Sequence, residues 1–321
     1  MSIVSPRNLA FLAIAPAMLI GLVGCSPQPT TTGDNPQTLK PFAENRAIRA
    51  VCTTGMVADM VRHIGGSRLE VEQIMGEGID PHLFKATPDV IAKLHAADVI
   101  FYSGLHLEGR MTEVLEALGK KKPVVALADG LPPDRLIDAG GGLHDPHVWF
   151  DVSLWARTSD SVHAFLVKFD PPHQAEYDAN AGKYRDELVK LHDEVRKRFE
   201  GIPQPARALV TAHDAFHYFG RAYGVTVKAV QGVSTETEAG VREINDLVKF
   251  IVDGKIKAVF VETSVSDRNI RALVEGCKAQ GHNVGIGGEL FSDSMGKPGT
   301  PEGTYVGMVR HNVDTMIRAL Q

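Results

Sequence analysis

From Ile48 onward, short apolar runs alternate with amphipathic stretches, the grammar of α/β layers built on parallel strands. Strands are predicted over 48–53, 69–75, 99–102 and 124–128 in a first half of the chain. The second half repeats the pattern with strands over 208–212, 227–231, 258–262 and 284–287. Between strands lie helical periodicities. Val90, Ile91 and Leu94 share one face of a helix that Thr87 would cap and Pro88 would start. Val241, Ile244, Leu247, Val248 and Ile251 form another such face, and so do Ile270, Leu273, Val274 and Cys277. Near the end, Val306, Val309, Val313, Met316, Ile317 and Leu320 line up in the same way. Between the halves, Pro171-Pro172 opens a charged stretch that stops at Gly201-Ile202-Pro203. Its roughly thirty residues, at a 1.5 Å rise, would make a helix about 45 Å long, a single stiff connector between two lobes. Two shorter helices with an unmarked break are the alternative.

The amino terminus follows a different logic. Arg7 precedes an apolar run from Leu9 to Leu22, fourteen residues, too short for a membrane-spanning helix, which needs about 20. Length and flank match the apolar region of an export signal. The run ends Leu22-Val23-Gly24-Cys25, which resembles the lipobox of bacterial lipoproteins. Cleavage before Cys25 would leave a thiol and an amine to carry several acyl chains, enough for stable anchoring to a membrane. Residues 26–45 hold four Pro and four Thr with almost no apolar periodicity and read as a disordered tether.

Composition narrows the class. A chain of 321 residues predicts about two domains. With 34 Lys+Arg against 39 Asp+Glu, 44% hydrophobic and 23% charged residues, it is neither a basic nucleic-acid protein nor a disordered chain. Three Cys exclude a disulfide scaffold. With Cys25 assigned to lipid, Cys52 in a strand and Cys277 on a helix face are expected to be buried free thiols, a bridge between them being left open.

The candidate chemistry falls just after predicted strands. Asp80-Pro81-His82 and Asp145-Pro146-His147 belong to the first half, Thr211-Ala212-His213-Asp214 and Phe291-Ser292-Asp293 to the second. Ligands of open α/β sheets bind outside the carboxyl ends of the strands, so two groups from each half would converge on a cleft between lobes. Three imidazoles and a carboxylate suit a divalent transition metal and are poor for Ca²⁺ or Mg²⁺. Asp145 and Glu262 are candidates to orient the imidazoles from behind. His217, four residues after His213, has the spacing of a zinc pair if both share a helix face. His144 reads as a loop position with no metal role, the cleft rim being the alternative.

Several longer stretches carry a family resemblance. Gly78-Ile-Asp-Pro-His-Leu-Phe84, Gly104-Leu-His-Leu-Glu108, His144-Asp-Pro-His-Val-Trp-Phe-Asp151, Thr211-Ala-His-Asp-Ala-Phe216, Gln231-Gly-Val-Ser-Thr235, Gly288-Glu-Leu-Phe-Ser-Asp-Ser-Met-Gly296 and Glu302-Gly-Thr-Tyr-Val-Gly-Met308 resemble the TroA-type zinc and manganese substrate-binding lipoproteins of ABC transporters. The resemblance runs from Ile48 to Leu320. It implies an α/β fold of two lobes, each a mostly parallel β-sheet flanked by helices, joined by one long rigid helix, with the metal in the interlobe cleft. The family's ligands fall on His82, His147, His213 and Asp293, and its His106 position is not expected to ligate. Manganese-selective relatives often have Glu where His213 stands.

The implied organisation is a lipoprotein signal peptide over 1–24, lipidated Cys25 and tether over 25–45, an N-terminal lobe over 46–169, a connecting helix over 170–202 and a C-terminal lobe over 203–321. The implied function is capture of Zn²⁺ or Mn²⁺ as cargo and delivery to an ABC importer. Partners would be the permease and its ATPase subunit, with the membrane reached through the lipid, no nucleic acid, and a monomeric body at the bacterial cell envelope. Three imidazoles favour zinc by intrinsic affinity, while the short, His-free stretch 129–143 lacks the His-rich loop of many zinc scavengers. A surface adhesin and an exported zinc hydrolase are the competing readings; the hydrolase would need an open coordination position and a general base.

Overall fold

The computed structural model describes residues 39–321, so the export segment and Cys25 lie outside the described residues. In the N-terminal lobe, β1 (Ile48–Cys52), β2 (Leu69–Gln73), β3 (Val99–Tyr102) and β4 (Val124–Ala126) form a parallel sheet in the order β2-β1-β3-β4. Helix α1 (Gly55–Gly65), capped by Thr54, buries nine of its eleven residues, because it is enclosed by the sheet and by other helices. Helices α2 (Pro88–Ala96) and α3 (Thr112–Gly119) cover the opposite face, and α2 starts at Thr87 and Pro88 as its sequence predicts. A short antiparallel hairpin, β5 (Asp138–Gly140) and β6 (Leu143–His144), turns on three glycines of positive φ; it was not among the predicted elements.

Helix α4 (Val152–Phe169), also unanticipated, packs against α5 (Gln174–Glu200). The connector is therefore one unbroken helix of 27 residues, and Pro171–His173 form a separate 3₁₀ turn ahead of it. Tyr177, Ala181, Tyr184, Leu188, Leu191, Val195 and Phe199 make its single buried stripe, which explains how so charged a helix holds its place.

In the C-terminal lobe, β7 (Ala208–Thr211) pairs in parallel with β8 (Thr226–Ala229) on either side of α6 (His217–Tyr223). Helix α7 (Val241–Asp253) leads to β9 (Ala258–Glu262), and α8 (Arg268–Ala279) to β10 (Gly285–Leu290), again a parallel pair. Helix α9 (Tyr305–Leu320) closes the chain. Val241, counted above on an apolar face, stands 77% exposed at the first residue of α7, because the face it would complete begins only a turn later.

One apolar cluster runs through both lobes, from Ile48 and Met56 through Trp155 and Tyr184 to Phe260, Tyr305 and Met316. Cys52 and Cys277 are both buried and free, in separate clusters. The tether expected up to residue 45 does not stay clear of the body over its last residues. Phe42 donates its N–H to Phe169 O at 2.6 Å and rests against that ring, with the Arg46 guanidinium 5.1 Å from its own ring centre. Among the described residues no helix is long and apolar enough to cross a membrane.

Candidate metal centre

Each Asp-Pro-His motif folds into the same local turn. Asp80 Oδ1 accepts the His82 N–H at 2.8 Å, and Asp145 Oδ1 accepts that of His147 at 2.9 Å. An aspartate bonding its own backbone two residues on, with proline fixing the residue between, sets the ring's direction before any tertiary contact forms. In the C-terminal lobe Glu262, the last residue of β9, does the equivalent for His213. It accepts the backbone N–H at 2.8 Å and faces the ring Nδ1 at 2.5 Å. Asp293 follows β10 in a loop that Asn312 of α9 clamps, accepting Phe291 N–H at 2.9 Å and donating to Phe291 O at 2.7 Å.

His82, His147, His213 and Asp293 are thereby brought together, every one of them buried, with donor atoms within 4.8 Å of one another. His147 Nε2 lies 3.3 Å from His82 Nε2 and 3.4 Å from His213 Nε2. The Asp293 carboxylate lies 3.2 Å from His213, 3.3 Å from His147 and 3.6 Å from His82. Neither of its oxygens receives a hydrogen bond, although both are buried. Two orphaned carboxylate oxygens facing three imidazole nitrogens form an acceptor-rich pocket that a cation would satisfy. Carboxylates cannot donate, so Asp145 and Glu262 each hold a proton on Nδ1 and leave Nε2 to face the centre.

Electrostatics split the three rings. Burial drives the His82 pKa down to about 4. Burial acts on His147 in the same direction, but the charges of Asp145 and Asp293 outweigh it and lift the ring to about 9. His213 is likewise raised well above the usual imidazole value, with Asp293 and Glu262 overcoming burial. The Asp293 carboxyl is held well below its usual range, since His213 and His147 outweigh its burial.

A groove of about 1050 Å³ runs between the lobes and is lined by His82, His106, His144, Asp214 and His217 among others. Of the four converging residues only His82 reaches it.

A family model described as "Zinc-uptake complex component A periplasmic" matches residues 50–319. The chain belongs to this family. Within the zinc-uptake component A family, the manganese-binding lipoprotein MntA of Bacillus subtilis (strain 168) is 47% identical over 278 residues, covering 86% of this chain and 91% of that one. The metal ABC transporter substrate-binding lipoprotein SsaB of Streptococcus sanguinis is 27% identical over 321 residues, covering 98% and 99%. Among solved structures, the periplasmic zinc-binding protein TroA from Treponema pallidum superimposes with a TM-score of 0.84 at 44% identity, covering 85% of this chain and 99% of that one. The two-lobe α/β architecture of this family is the one described above.

His217 does not join the four. It is the first residue of α6, and His213 precedes the helix, so the shared helix face does not exist. Its Nε2 lies instead 3.0 Å from Asp214 Oδ1. Other histidines have ordinary partners: His163 meets Asp178, His173 meets Asp170, His192 meets Tyr223 and His282 meets Ile256 O. Sequence reasoning missed several supporting residues. Tyr218 accepts the Ile137 N–H at 3.1 Å and donates to Asp145 O at 2.9 Å. Buried Glu108 accepts from Thr53 Oγ1, Ser103 N and Gly104 N, steadying the turn in which Leu105 and His106 take positive φ. The local signal for Glu108 was an acidic residue closing the Gly-led motif Gly104-Leu-His-Leu-Glu108. For Tyr218 there was none.

Proposed function

We propose that this chain is an extracytoplasmic solute-binding protein that captures a divalent transition metal, zinc or manganese, as cargo for an ABC importer. His82, His147, His213 and Asp293 are the ligands in this reading, and Asp145 and Glu262 fix the orientation of two of them. The observation that carries it is the convergence of three Nε2 atoms on a buried carboxylate that accepts no hydrogen bond. Four protein donors match a closed tetrahedral set, where a hydrolase would keep one position for water. The names of relatives point the same way: manganese-binding for MntA, zinc-binding for TroA, metal ABC transporter substrate-binding for SsaB. The importer's permease and ATPase are the partners, and Cys25 carries the lipid that holds the body at the membrane. The lobes over 46–169 and 203–321 and the connecting segment over 170–202 are the working parts of this proposal.

Three neutral imidazoles bind Zn²⁺ more tightly than Mn²⁺ by intrinsic preference, so zinc is expected to win a direct competition. The test is metal analysis of protein purified without added metal, followed by competition among Zn²⁺, Mn²⁺ and Fe²⁺. Bound zinc or manganese, lost in His82→Ala and His213→Ala, supports the reading. A protein that takes up neither, or in which iron dominates, overturns it.

A further inference from the structure

His147 and His213 each have a carboxylate on Nδ1, whereas no described residue bonds Nδ1 of His82. His82 is also the ring that lines the open groove. Its orientation must therefore come through its backbone, and that leads to Asp80. One oxygen of Asp80 accepts the His82 N–H; the other accepts the Thr235 hydroxyl at 2.6 Å, from a residue 155 positions later in the opposite lobe.

We infer that Thr235 is a positioning residue, which from the C-terminal lobe locks His82 into the cation site and so sets how fast a captured metal leaves. This rests on the metal-capture reading above.

The arm that carries Thr235 is rooted beside His213. Gln231 N donates to Ala212 O at 2.9 Å, Asp214 N to Gly232 O at 3.3 Å, and Gln231 Nε2 to Thr237 O at 3.3 Å. Thr235 is buried while Ser234, Glu236 and Thr237 on either side are not fully covered, so its hydroxyl is packed into the contact. The His82 loop has little else to hold it. Its flanking Ile79 and Leu83 are 38% and 39% exposed. The other strap is Gly78, whose N–H reaches Ser294 Oγ at 3.0 Å from a backbone at φ 70°, a conformation that favours glycine. The neighbouring Arg110–Glu236 pair is exposed and adds little. A hydroxyl-to-carboxylate bond is a charge-assisted one and is the stronger of the polar ties across this gap.

The consequence is kinetic. A metal held by four ligands leaves after one lets go, and the ligand bordering the groove, whose ring has no carboxylate behind it and whose backbone is held chiefly through Asp80, is the one free to do so. Removing the hydroxyl frees Asp80, and through it the His82 backbone, so the ring next to the groove lets go sooner and the effect falls mainly on dissociation.

The experiment uses the full chain loaded with Zn²⁺, wild type, Thr235→Val and Thr235→Ser, with release followed by transfer to an excess of chromogenic chelator. Thr235→Val, which keeps shape and loses the donor, is expected to release zinc about tenfold faster, the order of one charge-assisted hydrogen bond. Thr235→Ser is expected to restore slow release and wild-type melting, and the metal-free valine protein to stay folded while melting slightly earlier for the lost bond. Release from Thr235→Val at the wild-type rate overturns the inference, as does a Thr235→Ser protein as fast as the valine variant. Failure of the wild type to take up zinc at all would instead remove the capture reading and this inference with it.

Discussion

Protons stand in for the cation when the site is metal-free. With no metal bound, the carboxylates favour a second proton on His147 and His213, while burial disfavours one on His82 and the neighbouring rings favour the ionised form of Asp293. A metal must displace the Nε2 protons of the two charged rings. The sequence alone places proton competition below the ordinary imidazole pKa of about 6.5; the buried carboxylates move it upward. Affinity is expected to climb from pH 7 towards pH 9, by up to about tenfold per pH unit for each proton displaced. Titrations against a competing chelator, combined with calorimetry in buffers of different ionisation enthalpy, would measure it, and a flat response over that window would contradict it. The same shift sets stability. His147 holds its proton more tightly folded, at about 9, than unfolded, so its contribution is complete below about 6.5 and is lost as pH rises through 9. Metal-free protein is therefore expected to melt earlier at pH 9 than at pH 7, while the metal-loaded protein, which needs no such protons, loses little.

At the scale of elements, the loops that carry the four converging residues are held in place by the helices behind them. Tyr218 of α6 bonds both Ile137 N and Asp145 O, so a C-terminal-lobe helix pins the loop that presents His147. Tyr218→Phe leaves a partly buried N–H and C=O unpaired and is expected to cost about 1–3 kcal/mol. Thermal melts of the metal-free variant should fall by several degrees, with weaker metal binding because Asp145 loses its anchor. Unchanged metal affinity would mean that the turn between Asp145 and His147 suffices by itself. These supports separate what was legible in the chain from what was not. The four converging residues could be picked out because each sits in a short motif, those of the C-terminal lobe just past a strand, and α2 because its cap and proline are local. Helix α4 escaped notice although Asp151 caps it by accepting from Ser153 N and Leu154 N. Its buried positions are spread through a sequence that also holds exposed charge. Thr235 and Asp80, or Asn312 and the Phe291 backbone, find each other only after folding, because no periodicity links residues so far apart.

For the whole molecule, the question is how far the lobes can move. A long helix alone would resist bending, but the stronger constraint is the apolar cluster that passes through both lobes without a break. Two buried bonds cross the same boundary. Trp149 Nε1 donates to Ser292 O at 3.1 Å, next to Asp293, and Tyr305 donates to Trp149 O at 2.6 Å. Opening the lobes like a hinge would expose aromatic surface and orphan these groups, whereas domain interfaces that move freely are smaller and more polar. What remains movable is the rim of the groove: the loop 78–83, tied across by Thr235 and Ser294, and the arm 231–237. Metal-free and metal-loaded proteins are therefore expected to give superimposable solution scattering curves. Amide hydrogen exchange should differ in those two rim segments while α1, α4 and α5 exchange alike in both states. A metal-dependent contraction of the particle, or protection spreading into α5, would show that the shared core yields and that the lobes close as bodies.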